Sequence, residues 1–337
     1  MHSALRWIFR DLEAALKLER DRVYHPVPAT FPVIFQEQAS GAAPLAGDEL
    51  KAAVLELEAE TRARIAERQQ GIPTFGDGTL LSLVRQLREL DQDLPWEESV
   101  RRQDGAAGRY LEAALERLRL LLERRRQGRF VDYRERFVPS PEGPRSGRDV
   151  GAYELAASQG VLGCMHWKGV PLFKSVYDFS IYSMLLWELR PRTILELGSG
   201  MGASAVWMAD LLRAFEIDGH VYSVDLARPE LRHGGVSFLA GDCRSLHAVF
   251  PRELLAAAPH PWLLVEDAHV DVGGVLSYFH PFFVPGDYLV IEDSGPKQEE
   301  IGRFLAAHPG CYKLDSRYTD FFGRNATSAG DSIFVRF

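Results

Sequence analysis

The pattern of apolar and polar positions changes character near residue 150 of this 337-residue chain. Before that point, apolar residues recur at spacings of three and four, the period of an amphipathic helix. One stripe consists of Leu50, Val54, Leu57, Thr61 and Ile65, and a second of Leu111, Leu115, Leu118 and Leu122. We therefore predict a mainly helical accessory domain over residues 1–150, which includes a linker in the Pro/Gly/Ser-rich run that begins at Val138.

From residue 151 onward, short β-branched and apolar runs alternate with helical patterns. Five of these runs are TILEL, HVYSVD, VSFLAGD, WLLVED and DYLVIEDS. Such alternation is typical of a parallel sheet covered by helices. Two more strand-like runs close the chain, CYKLDSRY and DSIFVRF, and we expect them to pair as a hairpin. Residues 151–337 are thus predicted to form a doubly wound, seven-stranded, Rossmann-like α/β domain.

A glycine turn follows the first of these strands. Glu196 closes the strand, Gly198 and Gly200 follow, and a helix begins near Ala203. Glycines allow a ligand to approach the backbone closely, and the helix N-terminus points into the crevice above the sheet. The spacing Gly198-x-Gly200-x-x-Ala203 also satisfies a relaxed dinucleotide fingerprint, which is weak evidence alone. A carboxylate at Glu196 suits a ligand with an ammonium group and disfavours a pyrophosphate.

The next two strands also end in acids. Asp225 is placed to hold two ribose hydroxyls, and Asp242 to reach an adenine edge. An acid at the end of three consecutive strands resembles the class I S-adenosylmethionine-dependent methyltransferases. The resemblance implies that S-adenosylmethionine is bound by Glu196, Gly198, Gly200, Ser204, Asp225 and Asp242. Two alternatives remain: an NAD(P)-dependent oxidoreductase, which would use Asp225 for its ribose, and a non-catalytic methyltransferase-fold interaction protein.

Four more acids follow the fourth and fifth strands, namely Glu266, Asp267, Glu292 and Asp293. The carboxyl ends of both strands open onto one crevice, where uncompensated carboxylates repel one another. Either a divalent cation such as Mg²⁺ balances them, or some of them cap helices or pair with Arg or Lys. His269 is expected just beyond the fourth strand, as a proton acceptor or as a surface histidine.

A wider set of motifs carries a family resemblance over roughly residues 160–300. HWKGVPLFKSVYDFSIYSMLLWELRPRTILELGSG, together with VEDAHVD and GDYLVIEDS, resembles the cephalosporin hydroxylase-like family and the metal-dependent sugar O-methyltransferases of macrolide biosynthesis. The resemblance implies that Mg²⁺ is held by Glu266, Glu292 and Asp293 and that His269 is the base. The family usually has Asp at the first of these positions, so Asp267 is the alternative to Glu266.

The resemblance also implies the substrate, a hydroxyl or enol of a natural product such as a polyketide or its sugar. Tyr318, Phe321 and Phe322 are candidates for an apolar wall of the substrate pocket, with packing of the last hairpin as the alternative. Asp178 and Tyr182 are candidates to close over the cofactor, although core packing explains Tyr182 equally well.

Composition limits the partners. A net charge of −8 without a long basic run argues against nucleic acid. The three isolated cysteines form neither a disulfide framework nor a zinc pattern. Since no signal peptide and no membrane-length apolar window is recognisable, we expect a soluble, cytoplasmic protein. The apolar stripes of the accessory domain lead us to expect a homo-oligomer.

Overall fold

The computed structural model describes residues 45–90, 94–138 and 146–337. Most of the predicted linker and the N-terminal segment considered for a signal peptide lie outside these ranges. The described residues divide into two compact units, one ending at Gly128 and the other beginning at Arg129. This division lies earlier in the chain than the domain boundary predicted near residue 150, because residues just after Arg129 already pair with the sheet of the second unit.

The first unit is helical, as predicted. Its helices are α1 (Gly47–Glu67), α2 (Phe75–Arg88), α3 (Trp96–Arg101) and α4 (Gly105–Gln127). Thr74 and Asp77 form a capping box at the start of α2, each side chain accepting a backbone N–H at the other position.

The two predicted apolar stripes form the core of this unit. Leu50, Val54 and Leu57 of α1 are buried in one cluster with Leu111, Leu115, Leu118 and Leu122 of α4. The stripes therefore cover one another and are not left exposed. Buried stripes do not support the expected homo-oligomer, which stays a prediction.

The second unit is built on an eight-stranded sheet with a separate two-stranded hairpin. Its strands are β1 (Phe130–Val131), β2 (Met165–Trp167), β3 (Val170–Leu172), β4 (Thr193–Leu197), β5 (His220–Asp225), β6 (Val236–Ala240), β7 (Trp262–Glu266), β8 (Tyr288–Ile291), β9 (Tyr312–Asp315) and β10 (Ile333–Arg336). The order in the large sheet is β1-β9-β10-β8-β7-β4-β5-β6. All seven predicted strands are present, and β9 and β10 pair antiparallel as expected. The edge strand β1 and the β2–β3 hairpin were not predicted from the sequence.

The topology places a crevice at the carboxyl ends of the central strands. Strands β4 to β8 are parallel, whereas β10 runs antiparallel to β8. From β4 the chain continues to β5 and β6 on one side and then crosses to β7 on the other. In open α/β sheets, ligands bind where the strand order reverses in this way. The crevice between β4, β5 and β7 is therefore the expected binding site.

Helices cover both faces of this sheet, which confirms the doubly wound α/β architecture. They are α5 (Ala152–Ala157), α6 (Val176–Leu189), α7 (Ala203–Ala214), α8 (Leu246–Val249), α9 (Arg252–Ala257), α10 (Val272–Phe279), α11 (Gln298–Ala307) and α12 (Ser316–Thr319). Leu186 and Trp207 lie in the core on one face, and Phe279 and Ile301 in the core on the other. Across the described residues, every helix is too short or too polar to cross a membrane.

Candidate active site

The glycine turn between β4 and α7 is held against the segment that follows β7. Gly198 has φ +99°, and a Cβ there would lie 2.5 Å from the carbonyl oxygen of Asp267. Only glycine permits both this backbone conformation and this close approach. Gly200 differs, because nothing lies within 4 Å of the place its Cβ would take. Gly198 thus packs the turn in place, and Gly200 leaves space for a ligand.

Both glycines line a cavity of about 520 Å³ in the second unit, together with Asp225 and Asp242. Asp225 accepts hydrogen bonds from the backbone N–H of Gly200 (2.8 Å) and Leu226 (2.7 Å), one at each carboxylate oxygen. Each oxygen keeps capacity for a further donor. Asp242 accepts from the backbone N–H of Arg244 at 2.9 Å. These two predicted binding acids therefore face the cavity in a fixed orientation.

Glu196 lies beneath the turn and not on the cavity wall. It is buried, and it accepts a hydrogen bond from the hydroxyl of Ser223. Burial raises the pKa of Glu196. The cavity wall, as the described residues form it, contains neither Glu196 nor Ser204. Their predicted contact with a cofactor stays a prediction.

Asp267, His269 and Asp293 form a cluster on the cavity wall. His269 Nε2 lies 3.5 Å from Asp267 Oδ1 and 3.6 Å from Asp293 Oδ2. One ligand atom from each residue falls within 4.8 Å of the others. His269 and Asp293 both have positive φ, at +55° and +45°. Left-handed residues of this kind persist where the surrounding structure imposes them, often at functional sites. Two carboxylates beside an imidazole are chemically suited to a divalent cation.

The two glutamates of the predicted metal set already have lysine counter-ions. Glu266, fully buried, accepts from Lys297 Nζ at 2.7 Å. Glu292, also buried, accepts from Tyr182 Oη and lies 2.5 Å from Lys174 Nζ. Of the predicted ligands, the structure brings only Asp293 into the cluster. Buried carboxylates need a nearby cation, and here Lys174 and Lys297, from other segments of the chain, provide it.

Asp267 takes the place in the cluster that the sequence analysis gave first to Glu266. Its Oδ2 lies 3.1 Å from the buried Lys174 Nζ. Burial by itself would lower the pKa of Lys174, but the attraction of Asp267 and Glu292 holds it above its usual range. Burial raises the pKa of Glu292 to about 7, although Lys174 opposes this. Lys174 thus links the buried Glu292 to the more exposed Asp267.

Lys174 and Lys297 were both missed in the sequence. The sequence did show an excess of acids beside two strand ends, and such an excess requires cations nearby. Lys174 stands four residues before Asp178, and Lys297 five residues after Glu292. Neither spacing distinguishes a buried counter-ion from a surface lysine.

Asp178 and Tyr182, on α6, connect this helix to the rest of the site. Asp178 lines the cavity and accepts from the Thr327 hydroxyl (2.5 Å) and the Ser328 backbone N–H (3.1 Å). Tyr182 is buried in the core beneath, where its hydroxyl donates to Glu292. Asp178 therefore orders the loop that contains Ser328, and Tyr182 has the packing role that was its alternative.

The late loop contributes Ser328 to the cavity, while the three predicted aromatic residues lie elsewhere. Tyr318 is buried and donates to Glu188, and Phe321 and Phe322 are exposed. None of the three is on the described cavity wall. The apolar character of these three side chains does not indicate which side of the loop faces the cavity.

Buried Arg136 anchors this loop. Its guanidinium binds Asp320 (2.6 Å) and Asp331 (2.6 Å). Because Arg136 is held between two carboxylates on either side of Ser328 in the chain, it fixes the loop that lines the cavity.

A second cavity of about 370 Å³ adjoins the first. The two share Gln159, Asp178, Asp293 and Ser328. Arg148, Leu155 and Pro296 line only the second. Asp293 of the acidic cluster therefore stands where the two cavities meet.

Comparison with known proteins identifies relatives of this part of the chain. Residues 159–322 match the sequence pattern of the family described as Rhamnosyl O-methyltransferase/CmcI. The Rhamnosyl O-methyltransferase of Mycobacterium leprae (strain TN) is 28% identical over 196 residues, which span 50% of this chain and 82% of that protein. The protein of the same name from Mycobacterium tuberculosis (strain ATCC 25618 / H37Rv) is 28% identical over 195 residues, 50% of this chain and 76% of the relative. A solved CmcI structure with Mg and SAM is 25% identical, with a TM-score of 0.46 and coverage of 64% of this chain and 94% of that one.

Proposed function

Because residues 159–322 match the Rhamnosyl O-methyltransferase/CmcI family, we propose that the protein transfers a methyl group from S-adenosylmethionine to a hydroxyl oxygen of a small natural product. The observation that carries this proposal is a single cavity lined by both Asp225 and the cluster of Asp267, His269 and Asp293. One part of it suits a nucleoside, and the other a hydroxyl that must lose a proton.

The cofactor would be held by the turn and the strand ends. Asp225 would accept the ribose hydroxyls, Asp242 would bind the adenine edge, and the open position at Gly200 would leave room for the methionine moiety. The sulfonium makes the methyl group electrophilic by itself, so the protein chiefly positions the two reactants and removes a proton.

Asp267 and Asp293 would hold Mg²⁺. When bound there, the ion would orient an acceptor oxygen and lower its pKa. His269 Nε2 accepts the proton of the acceptor hydroxyl. Its Nε2 lies 3.5 and 3.6 Å from carboxylate oxygens of Asp267 and Asp293, so the base and the metal ligands would act on the same acceptor hydroxyl. Lys174 and Lys297 neutralise the buried glutamates, so that the cluster keeps its arrangement.

The acceptor is a sugar hydroxyl or a hydroxyl or enol of a polyketide. The relatives named for rhamnosyl methylation favour the sugar. Asp293 and Ser328 line both cavities, which supports an acceptor position in the second cavity beside the first.

The proposal is tested by binding. S-adenosylhomocysteine should raise the melting temperature, whereas NAD⁺ should not, because a ligand of the native state stabilises it. Asp225→Ala should weaken S-adenosylhomocysteine binding by about 1.5 to 3 kcal/mol, the range for hydrogen bonds to a charged group. Calorimetric titration measures this directly.

Asp218→Ala is the matched control, since that carboxylate is almost fully exposed and does not line the cavity. Equal affinities for Asp225→Ala and wild type would remove Asp225 from the site. If NAD⁺ raised the melting temperature and S-adenosylhomocysteine did not, the protein would be an oxidoreductase and not a methyltransferase.

A further inference from the structure

The second cavity contains one cationic side chain, that of Arg148, among the described residues that form its wall. Ala152, Leu155 and Pro296 supply apolar surface there. The carboxylate of Asp178 is already bonded to Thr327 and Ser328. Of the described wall, Arg148 and Asp293 are therefore the two charged side chains that a ligand can meet directly.

Among the described residues, Arg148 has no counter-ion, unlike the arginines near it. Arg136 binds Asp320 and Asp331, and Arg324 binds Asp149. For Arg148, no hydrogen bond or ion pair is present within the part of the chain that the structure describes. Its guanidinium lies against Gly330, where a Cβ would come within 2.7 Å of Nη2. The space that Gly330 leaves is thus used to seat an unpaired guanidinium beside the cavity.

The position of Arg148 separates it from the proposed chemistry. It lines only the second cavity, whereas Asp293 lines both. An anionic group is attracted to Arg148, which leaves the hydroxyl end of the same ligand for Asp293 and the Mg²⁺ it would hold. A planar guanidinium binds a carboxylate or phosphate in a bidentate manner. Arg148 also precedes residues 159–322, so the family match does not assign it.

We infer that Arg148 forms an anion subsite in the acceptor pocket, which binds a carboxylate or phosphate on the acceptor and directs the acceptor's hydroxyl end toward Asp293 and His269. This inference rests on the proposed function. The substrate class is therefore an acidic hydroxylated compound, such as a sugar acid or sugar phosphate.

The test uses two matched pairs of ligands in calorimetric titrations with S-adenosylhomocysteine present. Methyl glucuronide is compared with methyl glucoside, and rhamnose 1-phosphate with methyl rhamnoside. Wild type should bind the charged member of at least one pair about 10- to 100-fold more tightly, the range for a hydrogen bond to a charged group. The pair that shows the preference distinguishes a carboxylate from a phosphate.

Arg148→Gln should remove that preference, while Arg148→Lys should retain part of it. Gly330→Ala should weaken the preference for the charged ligand, since the added methyl group displaces the Arg148 guanidinium without removing its charge. Arg303→Gln, on an exposed arginine of α11, is the control and should change nothing.

Equal binding within both pairs, or a preference that survives in Arg148→Gln, would overturn the inference. The proposed function fails separately, through absence of S-adenosylhomocysteine binding. An anion preference that depends on Arg148 would then still identify the subsite.

Discussion

His269→Ala is expected to lower turnover by about 10²- to 10⁴-fold, the usual effect of losing a positioned general base. The imidazole lines the cavity beside Asp267 and Asp293, where the acceptor hydroxyl would lose its proton. Affinity for S-adenosylhomocysteine should not change, because Gly200 and Asp225 bind without it. Methyl transfer to methyl rhamnoside, followed by mass spectrometry, supplies the rate.

A second variant separates loss of the base from a change in the backbone at residue 269. His269 has φ +55°, which alanine adopts poorly and asparagine adopts more readily. His269→Asn should therefore keep the local backbone and still lose the base. His247→Ala, on an exposed histidine of α8 that does not line the described cavities, should retain full activity. Wild-type turnover in both His269 variants would show that this residue is not the base.

EDTA is expected to abolish turnover, and added Mg²⁺ to restore it. Asp267 and Asp293 provide carboxylate oxygens, which Mg²⁺ prefers, and both are accessible from the cavity. Asp267→Asn combined with Asp293→Asn should remove Mg²⁺ binding in a calorimetric titration, a measurement that needs no acceptor. S-adenosylhomocysteine should still bind to the double variant.

Glu266→Gln is the matched control for the metal site. Glu266 is buried against Lys297, so the substitution should lower thermal stability by leaving that lysine without its counter-ion. Its affinity for Mg²⁺ should remain that of wild type. Full turnover of the wild-type enzyme in EDTA would contradict the proposed role of Mg²⁺. Loss of Mg²⁺ binding in Glu266→Gln would show that Glu266 is a metal ligand.

The sequence by itself determined the sheet and one half of the site. Strands β4 to β8 read as apolar runs because parallel strands are covered on both faces. Asp225 and Asp242 could be placed from the sequence, since an acid directly after such a strand stands at the carboxyl edge whatever the other contacts are. The edge strand β1 was not predicted, because its two residues, Phe130 and Val131, are too few to show the alternation typical of a strand.

Only the tertiary structure decided which acids remain available to a ligand. Glu266 and Asp267 are adjacent in sequence, yet one is buried on Lys297 and the other faces the cavity. Lys297 lies 31 residues after Glu266, and Lys174 lies 118 residues before Glu292, so both counter-ions come from other segments of the chain. Successive side chains near a strand end point in different directions, and burial of a carboxylate requires a cation brought there by folding. Local sequence contains the acids, but the charge balance that separates structural from functional ones exists only after distant segments have packed.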